Sequence, residues 1–313
     1  MSTSTARAIT ITKSKKVSRM KDLVLQGCGT ALVTPFTADG AVDYEAYARM
    51  VDRQVAAGVH FLVPLATTGE TPTLSAGEKT AIFQLVKEHA KGLPLLVGVG
   101  VNSIPDTLGN IRLVEPLGAD ALLVVVPYYN KPTQQGQYEY FKAVAAETSL
   151  PVIIYNVPGR TGANMLPDTV LRLANDVPNI RGIKEASGNY DQVSEILRRA
   201  PEGFTVLSGD DDLTLALMAT GAHGVISVAS NIAPKEVSQM VEAMQQGRLE
   251  EARVLHHRLF PLFKACFAES NPIPAKAALA QLGIMRDTVR LPLAAASDAT
   301  RALMQKVLAE LWK

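Results

Sequence analysis

From residue 22 onward, short apolar runs alternate with amphipathic stretches whose apolar positions recur at helical spacing, a rhythm that predicts parallel α/β architecture. Runs of strand character fall near 29–33, 61–65, 94–99, 121–126, 152–156, 180–184, 205–208 and 224–228. Helix signals lie between them. Asp43 is placed to cap a helix that Gly58 ends, Ser75 with Glu78 spells a capping box, and Pro167 suits a first helical turn. Eight strand-then-helix units predict an α/β fold closed into a (β/α)8 or TIM barrel over residues 22–233. From Pro234 the pattern turns to helix alone, through Met244, Arg253 to Phe267, Ala275 to Leu282 and a last helix ending near Trp312. Residues 234–313 are therefore expected as an appended helical layer packed on the barrel, within the same domain.

Polar groups suited to one chemistry collect where the runs end. Lys184 closes the run Asn179-Ile-Arg-Gly-Ile183, Tyr155-Asn156 follows Val152-Ile-Ile154, Tyr128-Tyr129-Asn130 follows the run 121–126, and Thr67-Thr68-Gly69-Glu70 follows 61–65. In a parallel barrel catalytic groups gather at the carboxyl ends of several strands, and strands four, five and six are neighbours. A lysine at the mouth of an apolar pocket is expected to lose the stability of its ammonium form, which frees a neutral amine to attack a ketone. Each residue alone has a plainer reading. The lysine can be solvated, the tyrosines can be ordinary packing, the threonines can cap a helix, and Arg160 can be a loop charge. Together they converge on Schiff-base chemistry.

Composition narrows the setting. The chain has 313 residues, 47% hydrophobic and 5% aromatic, enough for one large core. Its 31 basic and 30 acidic residues nearly cancel, but Arg7, Lys13, Lys15, Lys16, Arg19 and Lys21 precede any acid. The remainder is mildly acidic and offers no electrostatic footprint for nucleic acid. Residues 1–21, rich in Ser, Thr and Lys, read as a disordered basic arm or as sequence upstream of a start at Met20. An organelle transit peptide has a similar composition. Cys28 and Cys266, the two cysteines, are too few for a disulfide framework or a zinc cluster and fit a reducing cytoplasm. No apolar run approaches a membrane span.

Six segments in order carry a family resemblance: Thr67-Thr-Gly-Glu70, Pro127-Tyr-Tyr-Asn130, Tyr155-Asn-Val-Pro-Gly-Arg-Thr-Gly162, Gly182-Ile-Lys-Glu185, Leu207-Ser-Gly-Asp-Asp211 and Asn271-Pro-Ile-Pro274. From about Gly27 to its end the chain resembles the dihydrodipicolinate synthase family. The resemblance implies condensation of pyruvate with L-aspartate 4-semialdehyde in lysine biosynthesis. It implies that Lys184 forms the imine, that Tyr155 moves protons, and that Thr67 and Tyr129 complete a relay. Thr68, Gly209, Ile226 and Asn271 would contact pyruvate or shape its site, and Arg160 would bind the aldehyde's carboxylate. No cofactor is implied. A tetramer of two tight dimers is implied, with Tyr129 entering the neighbouring subunit's site. Lysine-sensitive members bind lysine at the dimer interface, and this chain keeps Tyr128 and Asn102 of that set and offers Asp106 for a longer Glu. It departs from them at Ala76 and Lys79, so lysine is expected to inhibit weakly or not at all.

Other motifs carry less. Gly98-Val-Gly-Val-Asn-Ser103 lacks the third glycine of a dinucleotide fingerprint and reads as a strand-to-helix turn. His60, His89, His223, His256 and His257 lack metal-ligand spacing. Asp210, Asp211 and Asp212 suit a helix amino terminus. Two rival functions remain open: a Schiff-base aldolase for N-acetylneuraminate or 2-keto-3-deoxy sugar acids, and a non-catalytic barrel that binds a keto acid. Arg160 disfavours the first, because polyol substrates call for hydroxyl-binding groups there. The Lys184, Tyr155 and Thr67 set disfavours the second.

Overall fold

Eight strands pair in parallel in the order β2 (Phe61–Val63), β1 (Gly27–Ala31), β8 (Gly224–Ser227), β7 (Thr205–Ser208), β6 (Ile180–Glu185), β5 (Val152–Asn156), β4 (Ala121–Val125) and β3 (Leu96–Gly98). The ring closes between β2 and β3 through a parallel bridge, Leu62 to Leu95, and through Gly98 N donating to Pro64 O at 3.0 Å. The computed structural model describes Leu23 and residues 25–313, so the reading of residues 1–21 lies outside the described residues.

Strand positions follow the sequence runs with two physical corrections. The first strand begins at Gly27, two residues before the expected start, because Gly27 (φ 89°) lies against β8 so closely that a Cβ on Gly224 would fall 2.0 Å from the Gly27 carbonyl oxygen. The second and third strands are shorter than their apolar runs. Pro64 and Pro94 lack an N–H to donate to a ladder, although both carbonyls still accept hydrogen bonds.

The helices on the barrel are α1 (Tyr44–Ala56), α2 (Ala76–His89), α3 (Ile104–Val114), α4 (Gln134–Ala146), the single turn α5 (Pro158–Thr161), α6 (Pro167–Asp176), α7 (Tyr190–Arg199) and α8 (Thr214–Ala219). The three helix starts the sequence predicts are present. Asp43 accepts from Ala46 N at 2.9 Å, Ser75 and Glu78 form a reciprocal capping box, and Pro167 opens α6. The carboxyl-terminal part is helical as expected, with α9 (Pro234–Gln245), α10 (Leu249–Ala265), α11 (Ile273–Gln281) and α12 (Asp298–Leu311).

Side-chain alternation of period two divides the core. Phe61, Val63, Leu123, Ile153, Tyr155 and Ile226 fill the barrel interior, whereas Leu62, Leu122, Val124 and Ile154 face the surrounding helices. Cys28 and Val225 on the β1–β8 side pack against Val237, Leu262, Phe263 and Met304 of the carboxyl-terminal helices. Both cysteines are fully buried, and burial pushes the Cys28 thiol up to about 12. Among the described residues, no helix is long and apolar enough to cross a membrane.

Candidate active site

The β5–β6 register sets Tyr155 directly beside Lys184, and the β4–β5 register sets Val125 beside Tyr155. Lys184 therefore shares the inward phase of Tyr155, while its neighbour Ile183 faces the helices. Only 5% of Lys184 is exposed, and its Nζ lies 4.3 Å from the centroid of the Tyr155 ring. Gly209, just after β7, leaves room for this amine. A Cβ there would stand 3.1 Å from Lys184 Cε and 2.5 Å from the Ala186 Cβ. Ile226 is buried beneath, among the interior side chains.

On the outward side of the same strand ends, the Glu185 carboxylate accepts from Asn156 Nδ2 at 3.1 and 3.2 Å, from Ser187 N at 2.8 Å and from Gln192 Nε2 at 3.1 Å. Burial raises its pKa, and those donors oppose the rise. The cluster fixes the ends of β5 and β6 from behind, so Tyr155 and Lys184 are held by a hydrogen-bonded brace as well as by the ladder.

The pocket around Lys184 is less apolar than the sequence suggests. Burial pushes Asp210 up to about 6, and the nearby Lys184 charge pulls against that shift. Asp211 is buried, and its Oδ2 accepts from Val228 N and Ala229 N, both at 3.0 Å, which ties the loop after β7 to the loop after β8. Asp212 instead pairs with Lys264 at 3.0 Å. The three aspartates do stand at a helical start, as the sequence suggests, with Asp210 just before and Asp211 and Asp212 within the 3-10 turn that leads into α8, but Asp211 and Asp212 also carry these longer-range ties.

Across the mouth, Thr67–Gly69 forms a single 3-10 turn after β2. Thr68 is buried and accepts from Asn271 Nδ2 at 3.0 Å, whereas Thr67 is exposed. Asn271 Oδ1 is buried with no protein partner among the described residues. Thr67, Lys79, Asn110, Tyr128, Tyr155 and Arg160 all line one cavity of about 270 Å³. Arg160 projects from α5 and is exposed. Lys184 does not line this cavity, and Tyr155 stands between the two.

The paired tyrosines diverge. Tyr128 is half-buried at the cavity wall, and its carbonyl accepts from Asn102 Nδ2 at 3.2 Å. Tyr129 takes a left-handed backbone (φ 71°), is 87% exposed and does not line that cavity. Lys79 Nζ donates to Asn110 Oδ1 at 3.2 Å; burial lowers its pKa, and Asp106 opposes that shift. Sequence reasoning missed the Glu185 brace, Asp211, and the Lys276–Glu70 ion pair behind the Thr67 turn. The one available signal was Lys276 itself, a charge inside the otherwise apolar run of α11.

A (β/α)8 barrel with a buried lysine at the carboxyl end of its sixth strand, against a tyrosine on the fifth, has the build of a Schiff-base lyase. Comparisons with known proteins give the family. The sequence profile of the Dihydrodipicolinate synthetase family matches residues 24–311. The 4-hydroxy-tetrahydrodipicolinate synthase of Thermotoga neapolitana is 46% identical over 291 residues, covering 92% of this chain and 99% of that one. The crystal structure of dihydrodipicolinate synthase from Thermotoga maritima superposes with a TM-score of 0.90 at 45% identity, covering 91% of this chain and 98% of the other. A chloride-inhibited dihydrodipicolinate synthase from Acinetobacter baumannii, complexed with pyruvate, gives a TM-score of 0.90 at 38% identity, covering 92% and 99%. The chain belongs to the dihydrodipicolinate synthase family.

Proposed function

We propose that this chain condenses pyruvate with L-aspartate 4-semialdehyde through an imine on Lys184, giving 4-hydroxy-tetrahydrodipicolinate for lysine and diaminopimelate biosynthesis. The observation that carries the reading is the buried Lys184 amine in register with Tyr155, with space left by Gly209. The amine attacks C2 of pyruvate, and water leaves to form the imine. Loss of a methyl proton gives an enamine, whose carbon adds to the aldehyde. The second substrate's amino group then attacks the imine carbon, closes the ring and releases Lys184. Tyr155 carries protons between these steps, which its closeness to Lys184 supports, and Thr67 lines the same cavity. Thr68 and Asn271 offer a hydroxyl and an amide for the keto acid's carboxylate. Arg160, exposed on α5 and lining the cavity, offers a guanidinium to hold the aldehyde's carboxylate in a bidentate fork. The same arginine favours this substrate over a sugar acid. The two free, buried thiols fit a cytoplasmic enzyme.

Borohydride added with pyruvate is expected to leave a reduced adduct on Lys184, read by peptide mass spectrometry. A fully active enzyme with an unmodified Lys184 peptide would exclude the imine.

The exposure of Tyr129 supports an assembly, a homotetramer of two dimers, in which this ring completes a neighbouring site. Mixing inactive Tyr129→Phe and Lys184→Ala chains and allowing subunit exchange should restore activity at one site per hybrid dimer. No recovery would place Tyr129 within its own chain's chemistry.

Lys79 lines the same cavity as Asn110 and Tyr128, and its ammonium, held by Asn110, disfavours a second cation beside it. Inhibition by lysine is expected only at millimolar concentration or above. Half-inhibition in the micromolar range would contradict that.

A further inference from the structure

A second lysine near the barrel mouth is buried more completely than Lys184: Lys276 is 0% exposed, against 5%. It lies in the first half of α11, and its Nζ forms an ion pair with Glu70, donates to Thr288 O at 2.8 Å and sits 4.2 Å from the centroid of the Phe36 ring. Glu70 ends the turn that carries Thr67 and Thr68. It holds a left-handed backbone, φ 52° and ψ 34°, which a residue with a Cβ keeps only where its surroundings impose it. Its other carboxylate oxygen accepts from Arg290 N at 2.9 Å.

The same carboxyl-terminal segment grips the turn at further points. Asn271 donates to Thr68, and Arg290 donates to Thr73 O at 2.8 Å and pairs with Glu78 at the start of α2. The Arg290 guanidinium also lies over Phe36, at 4.4 Å. A buried ion pair is a poor source of net stability, because desolvation offsets much of the attraction. What it supplies here is one geometry for a turn that bears two hydroxyls of the site.

We propose that Lys276 is a positioning residue for the reaction: through Glu70 it sets the turn that presents Thr67 and Thr68 at the barrel mouth. The proposal rests on the reading of Lys184 as the imine-forming amine. Burial pulls the Lys276 ammonium down to about 8 from an ordinary 10.5, with Glu70 and Asp287 opposing and Arg290 assisting. Between those values the folded chain has released a proton that the unfolded chain still holds. On this group alone, stability therefore rises with pH across that window while Glu70 loses its partner. Positioning and stability then respond to pH with opposite sign, and this separates the proposal from a merely structural role.

The test compares the unaltered chain with Glu70→Gln and Lys276→Met. For each, kcat, the KM for pyruvate, the rate of borohydride-trapped adduct formation and thermal melting are measured from pH 7 to 10. Both variants, where folded, are expected to lose at least tenfold in kcat and in adduct rate. Glu70→Gln should also lose the part of the alkaline decline that begins near pH 8 in the unaltered chain. Should Lys276→Met fail to fold, the near-isosteric Glu70→Gln carries the test. Folded variants with kcat and KM within about twofold of the unaltered chain, and an unchanged alkaline limb, would overturn the proposal even if they melt earlier. An unaltered chain that traps no pyruvate would instead overturn the Lys184 reading, and this proposal with it.

Discussion

The parallel hydrogen-bond register between β5 and β6 is the constraint on which the site depends. Because side chains alternate with a period of two, pairing Tyr155 with Lys184 sends both into the barrel mouth, and a slip of one residue would send the lysine among the helices. The ladder also contains an irregularity between Val152 and Ile153, before the functional pair. Past it, Ile153 to Asn156 pair without interruption with Gly182 to Glu185. The hydrogen bonds from Asn156 and Gln192 to Glu185 lock that registered end from outside.

Around this pair the chain accepts several buried charges, each matched differently. Glu185 is surrounded by neutral donors, Asp211 by two backbone N–H groups, and Glu70 by Lys276 and the Arg290 amide. In each case the carboxylate ties a strand end, or the turn just after one, to another element: Glu185 to β5 and α7, Asp211 to the loop after β8, and Glu70 to α11 and Arg290. Buried charge is therefore concentrated where geometry must be fixed, and the opposite end of the barrel interior is filled by residues such as Ala121 and Leu96. The carboxyl-terminal helices take part in this arrangement: they bury apolar area against β1 and β8 and also reach over the mouth through Asn271, Lys276 and Arg290.

Much of this was legible in the chain. Local signals survive folding: apolar runs of strand length, the Ser75–Glu78 box, and polar residues just after apolar runs, which is why the strand-end positions of Lys184, Tyr155 and the Thr67 turn are legible in the sequence. The start of β1 was not legible, because Gly27 and Cys28 carry no strand preference and the pairing comes from close approach to Gly224. Asp211 and Glu185 were missed for another reason. Their partners are set by tertiary neighbours, and a carboxylate beside a helix start looks the same in sequence whether it caps that helix or ties two loops. The Glu70–Lys276 pair spans 206 positions, beyond the reach of any periodicity.

The most direct test of the account supplies pyruvate and L-aspartate 4-semialdehyde together and couples product formation to a reductase that oxidises a reduced nicotinamide cofactor. Cofactor oxidation that requires both substrates and is lost in Lys184→Ala is the predicted result. No oxidation with both present, alongside release of pyruvate from N-acetylneuraminate or a 2-keto-3-deoxy sugar acid, would contradict it.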